Sequence, residues 1–153
     1  MGIDFHRLGK GRPLILAGVK IEHELGLIGH SDADVLTHAL CDALLGAAGM
    51  GDIGTHFPDT DELYCGIESL KLLERVLALL AAAGYRVVNV DATLIAQAPR
   101  LTPHFPAMRT RLTEALHLSP DRIGLKATTS EGMGAIGRCE GIGAICVCLI
   151  ERD

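Results

Sequence analysis

The sequence predicts a single α+β domain over residues 1–153, built on a mixed β-sheet with helices packed on one face. Three observations predict this fold class. The chain has 153 residues, the size of one compact domain. It is 48% hydrophobic but only 3% aromatic, so its core must be aliphatic. Finally, predicted helices separate the predicted strands, and such crossovers produce parallel as well as antiparallel strand pairs.

The predicted elements follow the order β, hairpin, α, α, β, α, β, β. Ser31 is the predicted cap of the first helix, with Asp32 and Asp34 in its first turn, where the helix dipole favours acids. A sheet with one uncovered apolar face needs a partner, so we expect a homo-oligomer. The strands are expected at residues 2–6, 14–16, 19–22, 85–96, 123–128 and 144–151, and the helices at 31–48, 69–83 and 103–117.

Charge and composition exclude several classes of function. The net charge of -5 gives no basic surface for a nucleic-acid backbone, so we expect no nucleic-acid partner. The sequence contains neither a secretory signal nor an apolar run of about 18 residues, which predicts a cytoplasmic protein without a membrane partner. The five cysteines form no CxxC pair, and reduced thiols are expected.

Asp4 and His6 form a DxH pair in the first predicted strand. Because side chains two residues apart in a strand point to the same face, the carboxylate and the imidazole can reach one ion. An ordinary exposed pair has the same spacing, so this motif by itself is weak evidence for a metal site.

His38 lies in the first predicted helix, one turn from Asp34 and one turn from Asp42. A core histidine with a carboxylate partner would explain this polar stripe without a metal. Together with Asp4 and His6, His38 offers one oxygen and two nitrogens, which suits zinc or another first-row divalent cation and leaves one position open for substrate. Asp34 or Asp42 would then accept a hydrogen bond from the metal-bound His38 ring.

Three further segments carry groups suited to phosphate or hydroxyl oxygens. Backbone N–H groups at His30 and Ser31 can bind an anion at the predicted helix start, although capping by Ser31 would explain the same residues. The glycine-containing loop at residues 49–66 carries carboxylates that can bind a polyol or form Asx turns. Residues 126–131 end a strand with three hydroxyls and Glu131, which can hold a hard cation such as Mg²⁺.

These residues occur in a pattern that closely resembles the 2-C-methyl-D-erythritol 2,4-cyclodiphosphate synthase family of the non-mevalonate isoprenoid pathway. The resemblance runs from end to end, and so many spaced motifs in one order are highly specific. The motifs are DxH at 4–6, HSDADV at 30–35 with His38, DALLGA at 42–47, GDIG at 51–54, FPDTD at 57–61, AQAPR at 96–100, KATT at 126–129 with Glu131, and GR at 137–138 with EG at 140–141.

The resemblance implies a chorismate-mutase-like homotrimer with active sites between subunits. Zinc or another divalent cation would be held by Asp4, His6 and His38, and Mg²⁺ or Mn²⁺ would bridge the substrate phosphates near Glu131. The implied reaction converts 4-diphosphocytidyl-2-C-methyl-D-erythritol 2-phosphate to 2-C-methyl-D-erythritol 2,4-cyclodiphosphate and CMP.

The resemblance also implies individual roles for residues of the site. His30 and Thr129 would steady the transferring phosphoryl group. Arg138 would lie at a central cavity where relatives can bind isoprenoid diphosphates. The substrate-binding set implied as a whole is Ser31, Asp52, Ile53, Gly54, Phe57, Pro58, Asp59, Asp61, Ala96, Pro99, Arg100, Leu101, Thr102, Thr128, Glu131 and Arg138.

Two other functions are compatible with the residues considered without the resemblance. A metal-dependent phosphoesterase would use the open zinc position to activate water and would release free phosphate. A non-catalytic trimeric binding protein with an incidental metal would leave the substrate unchanged. The sequence contains no arrangement typical of a protein nucleophile, and spacing alone predicts only a metal-dependent, phosphate-handling protein.

Overall fold

Seven strands and five helices make up the described part of the chain, which in the computed structural model comprises residues 1–58, 64 and 66–152. The strands are β1 (Gly2–Gly9), β2 (Leu14–Leu16), β3 (Val19–Ile21), β4 (Gly26–Ile28), β5 (Tyr85–Ile95), β6 (Ile123–Thr128) and β7 (Gly141–Arg152). The helices are α1 (Val35–Ala47), α2 (Ile53–His56), α3 (Ser69–Ala82), α4 (Phe105–Leu116) and α5 (Gly134–Gly137), with 3-10 turns at Thr102–His104 and Pro120–Arg122.

A five-stranded mixed sheet with the order β4-β1-β7-β5-β6 organises the fold. Strands β5 and β6 are parallel, whereas the pairs β1–β4, β1–β7 and β5–β7 are antiparallel. Strands β2 and β3 form a separate hairpin. The predicted α+β class and mixed sheet are therefore confirmed.

The core lies between the sheet and the helices, and α1 is at its centre. The helix is rich in Ala and Leu, and most of its residues are buried. On β7, Ile142, Ala144 and Cys146 are fully buried, and their alternation matches the period of two of a strand with one covered face.

Strand β1 and helix α1 approach so closely that the contact requires a glycine. A Cβ atom on Gly2 would lie 2.0 Å from the carbonyl oxygen of Ala39 and 2.5 Å from the backbone nitrogen of Ala43. Because neither backbone atom can move away easily, Gly2 fixes the distance between the strand that carries Asp4 and His6 and the helix that carries His38.

The predicted start of α1 was wrong. The helix begins at Val35, and its N-cap is Asp34, whose carboxylate accepts a hydrogen bond from the Thr37 backbone N–H at 3.1 Å. Ser31 and Asp32 lie before the helix, and both make other contacts. Since Ser and Asp are both good N-cap residues, propensity could not choose among these positions.

Three smaller differences concern short elements. Strand β4 was not predicted; it has three residues and is defined by its antiparallel pairing with β1. Strand β7 begins at Gly141, three residues before the predicted start, because Gly141 pairs with Arg7. The loop predicted at residues 49–66 contains the single-turn helix α2.

The face of the sheet away from α1 is uncovered, and on β1 and β7 it carries exposed apolar side chains. Ile3, Phe5, Val147 and Leu149 alternate with less exposed neighbours, and their exposed fractions lie between 46% and 58%. Within the described ranges, no helix has the length and apolar character needed to cross a membrane.

Replacing Gly2 with Ala is expected to destabilise the protein by about 1–3 kcal/mol, because the added methyl group overpacks the β1–α1 contact. The matched control is Gly46→Ala in α1, where nothing lies within 4 Å of the added Cβ. This control should stabilise the chain by about 0.5–1 kcal/mol through helix propensity. Denaturant unfolding of both variants checks the prediction, and equal effects of the two substitutions would contradict it.

Candidate active site

Three ligand atoms from β1 and α1 converge at one point. The Asp4 Oδ2 atom lies 3.0 Å from His6 Nε2 and 3.2 Å from His38 Nδ1, and the two ring nitrogens are 3.1 Å apart. Asp4 and His6 share the helix-facing side of β1, and His38 faces them from α1. Among the described residues, these three form the group whose ligand atoms are close enough to hold one metal ion. The structure therefore brings the predicted ligand set together.

The tautomer of His6 shows that this cluster requires a proton or a cation between its ligand atoms. The His6 Nδ1 atom lies 2.8 Å from the Ile28 carbonyl oxygen, which can only accept, so Nδ1 carries the ring proton in the neutral imidazole. The His6 Nε2 atom then presents a lone pair toward the Asp4 carboxylate and the His38 ring. Several electron-rich atoms at about 3 Å repel one another unless a proton or a cation lies between them. The residues thus fit a divalent cation, with oxygen and nitrogen ligands of the kinds that zinc uses.

Electrostatics in the cluster favour the charged form of the carboxylate. Burial opposes ionisation of Asp4, but its contacts with the His38 and His6 rings outweigh it and hold the pKa of Asp4 well below its ordinary value. Burial likewise lowers the pKa of His6, but the Asp4 carboxylate and the Ile28 carbonyl more than compensate and raise it. Asp4 is therefore an anionic ligand at neutral pH.

The outer nitrogen of His38 faces two hydroxyls. The His38 Nε2 atom lies 2.9 Å from Ser69 Oγ and 3.0 Å from Ser31 Oγ. Ser69 is the first residue of α3, and Ser31 lies in the loop before α1; both are buried.

The prediction that Asp34 or Asp42 orients the His38 ring was wrong. The Asp34 carboxylate accepts hydrogen bonds from Thr37 Oγ1 and from the Gly18 backbone N–H. The Asp42 carboxylate accepts from the Ile53 backbone N–H at 2.8 Å. Burial raises the pKa of both carboxyl groups. Asp34 and Asp42 lie near His38, but their carboxylate oxygens accept hydrogen bonds from neighbouring backbone N–H groups instead.

A cavity of about 560 Å³ opens beside the ligand cluster. It combines the two metal-ligating histidines with the loop before α1, the region of α2 and the start of α3. The residues that line it are His6, Gly29, His30, Ser31, His38, Ile53, Gly54, Phe57, Pro58, Tyr64 and Leu72. Most of the predicted substrate contacts in the first half of the chain therefore surround one cavity.

Arg12 holds the loop that carries His30, a role that was not predicted from sequence. Its guanidinium donates to the carbonyl oxygens of Gly29, at 2.7 Å, and Ser31. Gly29 must be small, because a Cβ there would lie 2.8 Å from the His6 ring. The exposed His30 is thus displayed on a loop fixed on both sides.

The predicted anion site at the start of α1 is not present in that form. The helix begins four residues after Ser31, and the Asp34 carboxylate already occupies its N-terminus. A negatively charged cap leaves this helix end unsuited to a phosphate. His30 and Ser31 still line the cavity through their loop.

Asp52 acts as the N-cap of α2. Its Oδ1 atom accepts from the Thr55 backbone N–H at 2.8 Å and from Thr55 Oγ1 at 2.7 Å, and these bonds lower the pKa of the exposed carboxyl. Asp52 adjoins the cavity residues Ile53 and Gly54 without itself lining the cavity. Asp59 and Asp61 lie outside the described residues.

A second cavity, of about 380 Å³, lies where β5 and β6 end. Since these strands are parallel, both carry their following loops to the same edge of the sheet. The residues that line it are Ala96, Gln97, Pro99, Arg100, Leu101, Thr102, Ala127, Thr128, Thr129 and Glu131. It collects the substrate contacts predicted in the second half of the chain, with the exception of Arg138.

The polar groups of the second cavity are held by local hydrogen bonds. Thr129 Oγ1 donates to Glu131 Oε1 at 2.8 Å and accepts from the Glu131 backbone N–H. The Gly132 backbone N–H donates to Gln97 Oε1 at 3.1 Å, which ties the two loops together. Glu131 supplies one carboxylate here, so a hard cation at this position would need further oxygens from phosphate or water.

The two cavities occupy separate parts of one chain. In the sheet, Phe5, Gly143, Ile95 and Thr128 lie in one row across β1, β7, β5 and β6. Three strand spacings of about 4.8 Å each therefore separate the metal-ligating strand from β6. Arg138 lines neither of the two cavities; its Nε donates to Glu140 at 2.7 Å.

The contact of Ser69 with His38 and the positions of Tyr64 and Leu72 in the first cavity were not predicted from the sequence. Ser69 looked like an ordinary first residue of a helix, and Tyr64 and Leu72 had no distinguishing pattern. The sequence contains no signal for the role of Ser69. In the structure, Glu68, the residue before it, makes no side-chain cap hydrogen bond to α3.

Comparisons with known proteins give a consistent result. Residues 1–151 match the model of the YgbB family. The 2-C-methyl-D-erythritol 2,4-cyclodiphosphate synthase of Alkalilimnicola ehrlichii is 59% identical over 153 residues, which cover 99% of this chain and 93% of that protein.

Solved structures show the same similarity. A CDP-bound structure of 2C-methyl-D-erythritol-2,4-cyclodiphosphate synthase superposes with a TM-score of 0.90 at 41% identity, covering 98% of this chain and 97% of the other. The bifunctional IspDF of Campylobacter jejuni superposes with a TM-score of 0.95 at 42% identity. That match covers 99% of this chain, which spans 41% of the bifunctional chain.

Replacing His38 with Ala is expected to weaken zinc binding by more than roughly 10–100-fold, which is the loss seen when a residue hydrogen-bonded to a metal ligand is removed. The reason is that the substitution removes a ligand rather than a neighbour of a ligand. The matched control is His117→Asn, an exposed histidine with a left-handed backbone that Asn tolerates. Titration of the metal-free chain with Zn²⁺ checks this; equal affinities of the two variants would contradict it.

Proposed function

The chain belongs to the YgbB family, and from that membership we propose how its residues support the cyclisation that the family catalyses. The protein is a lyase of isoprenoid biosynthesis. It converts 4-diphosphocytidyl-2-C-methyl-D-erythritol 2-phosphate to 2-C-methyl-D-erythritol 2,4-cyclodiphosphate and CMP. The observation that carries the proposal for this chain is the convergence of Asp4, His6 and His38 beside a cavity.

The chemistry of the reaction explains the choice of residues. A bond forms between an oxygen of the 2-phosphate and the β-phosphorus, and the bond from the β-phosphorus to the oxygen that stays with CMP breaks. The attacking oxygen is already anionic at neutral pH, so no protein nucleophile is needed. The obstacle is repulsion between two negative groups, which the site must offset while it holds them in line.

Asp4, His6 and His38 would hold a divalent cation, for which zinc is the ion best matched to the ligand set. When bound, this cation supplies positive charge that offsets repulsion between the phosphate groups. A second cation, Mg²⁺ or Mn²⁺, would bridge the substrate phosphates near Glu131, with phosphate and water oxygens completing its shell.

The cavity beside the ligand cluster is proposed to bind the methylerythritol and the reacting phosphates. Ile53, Gly54, Phe57 and Pro58 line its wall and would contact the carbon skeleton, while Ser31 and His30 offer polar groups at the loop held by Arg12. His30 is proposed to steady the phosphoryl group during transfer. Asp52, Asp59 and Asp61 are proposed to bind the hydroxyls, Asp52 through a carboxylate that α2 orients.

The cavity at the ends of β5 and β6 is proposed to bind the cytidine and the diphosphate. Ala96, Pro99, Arg100, Leu101 and Thr102 would surround the nucleoside. The exposed hydroxyls of Thr128 and Thr129, together with Glu131, would face the diphosphate. Thr129 would act with His30 on the transferring phosphoryl group.

We propose that the active site is completed between copies of the chain in a chorismate-mutase-like homotrimer. Two observations support this arrangement. On one chain, β7 lies between β1, which carries ligands beside the first cavity, and β5, whose end borders the second cavity. The sheet also leaves Ile3 and Phe5 on β1 and Val147 and Leu149 on β7 exposed, and large exposed apolar side chains grouped on two paired strands are typical of an interface. Arg138 is proposed to lie at the central cavity of this trimer.

A cytoplasmic location is proposed as well. Cys41, Cys139, Cys146 and Cys148, the cysteines within the described residues, are all free thiols. This is the state that a reducing compartment maintains.

Incubation with the cytidyl substrate and Mg²⁺ is expected to yield CMP and a cyclic diphosphate, because the substrate's own 2-phosphate supplies the attacking oxygen beside the cation ligands. Phosphorus NMR of the reaction distinguishes the products, and a chelated sample is the control. Free inorganic phosphate would instead support the phosphoesterase alternative, and unchanged substrate would support a binding protein.

Replacing Val147 with Glu is expected to abolish both the trimer and the activity, because it places a charge on the apolar sheet face. Zinc binding should remain, since all three ligands come from one chain. The matched control is Ala78→Glu, on the exposed surface of α3. Light scattering checks the mass against multiples of 16.2 kDa, and a Val147→Glu protein that stays fully assembled and active would contradict the trimer proposal.

A further inference from the structure

We propose that Asp32 and Ser69 are positioning residues that set the tautomer of the metal ligand His38. The inference rests on the proposed metal centre and goes beyond its three ligands. It starts from an observation that the metal site alone does not explain. The buried Ser69, at the start of α3, links the Asp32 carboxylate to the outer nitrogen of His38 through a continuous chain of hydrogen bonds.

The first link is between Asp32 and Ser69. The Ser69 hydroxyl donates to Asp32 Oδ1, and the Ser69 backbone N–H donates to Asp32 Oδ2 at 3.0 Å. The Asp34 backbone N–H also donates to Oδ1, at 3.3 Å. Three donors thus converge on the Asp32 carboxylate, which accepts only. The hydroxyl proton of Ser69 is therefore directed toward Asp32.

The second link is between Ser69 and His38. Since its proton is engaged with Asp32, the Ser69 oxygen presents lone pairs toward His38 Nε2 at 2.9 Å. If His38 Nε2 also carried a lone pair, no proton would lie between this nitrogen and the Ser69 oxygen. The contact is favourable only when Nε2 carries the ring proton, which leaves the lone pair of the neutral imidazole on Nδ1. That is the atom 3.2 Å from the Asp4 carboxylate and 3.1 Å from His6 Nε2.

Ser31, unlike Ser69, does not select one tautomer of His38. Its oxygen accepts from the Ala33 backbone N–H at 3.2 Å, and its own proton has no acceptor closer than His38 Nε2 among the described groups. The Ser31 Oγ atom is 3.5 Å from Ser69 Oγ. The Ser31 hydroxyl can accept from a protonated His38 Nε2, and it can equally donate to Nε2 in the opposite tautomer. The direction imposed by Asp32 on Ser69 is therefore what selects the tautomer with a free Nδ1.

This arrangement also couples the ligand to its surroundings. The Asp32 backbone N–H donates to the Ile67 carbonyl oxygen at 3.1 Å, and the Gly66 backbone N–H donates to the His30 carbonyl oxygen at 2.9 Å. Backbone hydrogen bonds thus join the loop that displays His30 to the segment before α3, next to the carboxylate that directs Ser69. A purely structural role for Asp32 would be to cap α3, and that role needs only the Ser69 backbone N–H.

The Ser69→Ala variant separates the two roles, because it keeps the backbone bond to Asp32 and removes the hydroxyl. Full-length metal-free protein labelled with ¹⁵N-histidine is compared at mildly alkaline pH by two-bond ¹H–¹⁵N correlation. The wild type is expected to show His38 protonated at Nε2, and the variant a mixture with the Nδ1-protonated form. A wild-type His38 protonated at Nδ1, or an unchanged pattern in Ser69→Ala, would overturn the proposal.

Metal affinity gives a second readout. Competition of the chain with a chromogenic chelator for Zn²⁺ is expected to show a Kd about 10–100-fold higher in Ser69→Ala than in the wild type. The matched control is Thr37→Val, which removes a buried hydroxyl bonded to Asp34 on the same helix as His38. This control should keep the wild-type Kd; an equal loss in both variants would mean that lowered stability, rather than positioning, weakens the site.

The Asp32→Asn variant tests the direction of the Ser69 hydroxyl even if Ser69→Ala does not fold. Its amide can donate to Ser69 Oγ and turn the hydroxyl proton toward His38, so the Nδ1-protonated tautomer should increase and zinc affinity should fall. Glu68→Gln removes a neighbouring exposed charge and should change neither readout. An Asp32→Asn protein with the wild-type tautomer refutes the proposal. Failure of the wild type to bind Zn²⁺ would instead refute the proposed metal centre, while the tautomer measurement remains decisive for Ser69.

Discussion

The packing of β1 against α1 is the contact on which the rest of the site depends. It allows two residues of a strand and one of a helix to place ligand atoms within about 3 Å of each other. Gly2 permits the close approach, and the buried Ala and Leu residues of α1 hold the helix in place. Two histidines and a carboxylate facing one another would be unfavourable in an ordinary core, so this packing supports a cluster that needs a cation.

Much of the ligand set could be predicted because it follows from regular periodicity. The period of two in a strand puts Asp4 and His6 on one face, and the apolar pattern of α1 identifies His38 as an inward polar residue. The groups around the ligands depend on where separate elements meet, and local pattern carries no such information. Asp34 was therefore assigned to His38 although it caps α1, whereas Ser69, some thirty positions away, makes that contact.

The fold was predicted to a similar extent and for the same reason. Long periodic segments such as α3 and β5 were found with their approximate bounds, while the three residues of β4 were missed because they are defined by pairing with β1. The substrate contacts after β5 came from family resemblance, whereas the hydroxyls and Glu131 after β6 were also predicted from the residue types. Nothing in their spacing shows that the loops after Ile95 and Thr128 enclose a common cavity; the parallel pairing of the two strands does.

The position of β7 has a consequence for how the protein reaches this structure. Strand β7, the last of the described strands, lies in the middle of the sheet, between β1 and β5, and Gly2 pairs with Cys146. The strand that bears Asp4 and His6 therefore lacks its central neighbour until residues 141–152 have been synthesised. Contacts of such long sequence separation slow folding, so we expect the metal-ligating geometry to form late, only after β7 has left the ribosome.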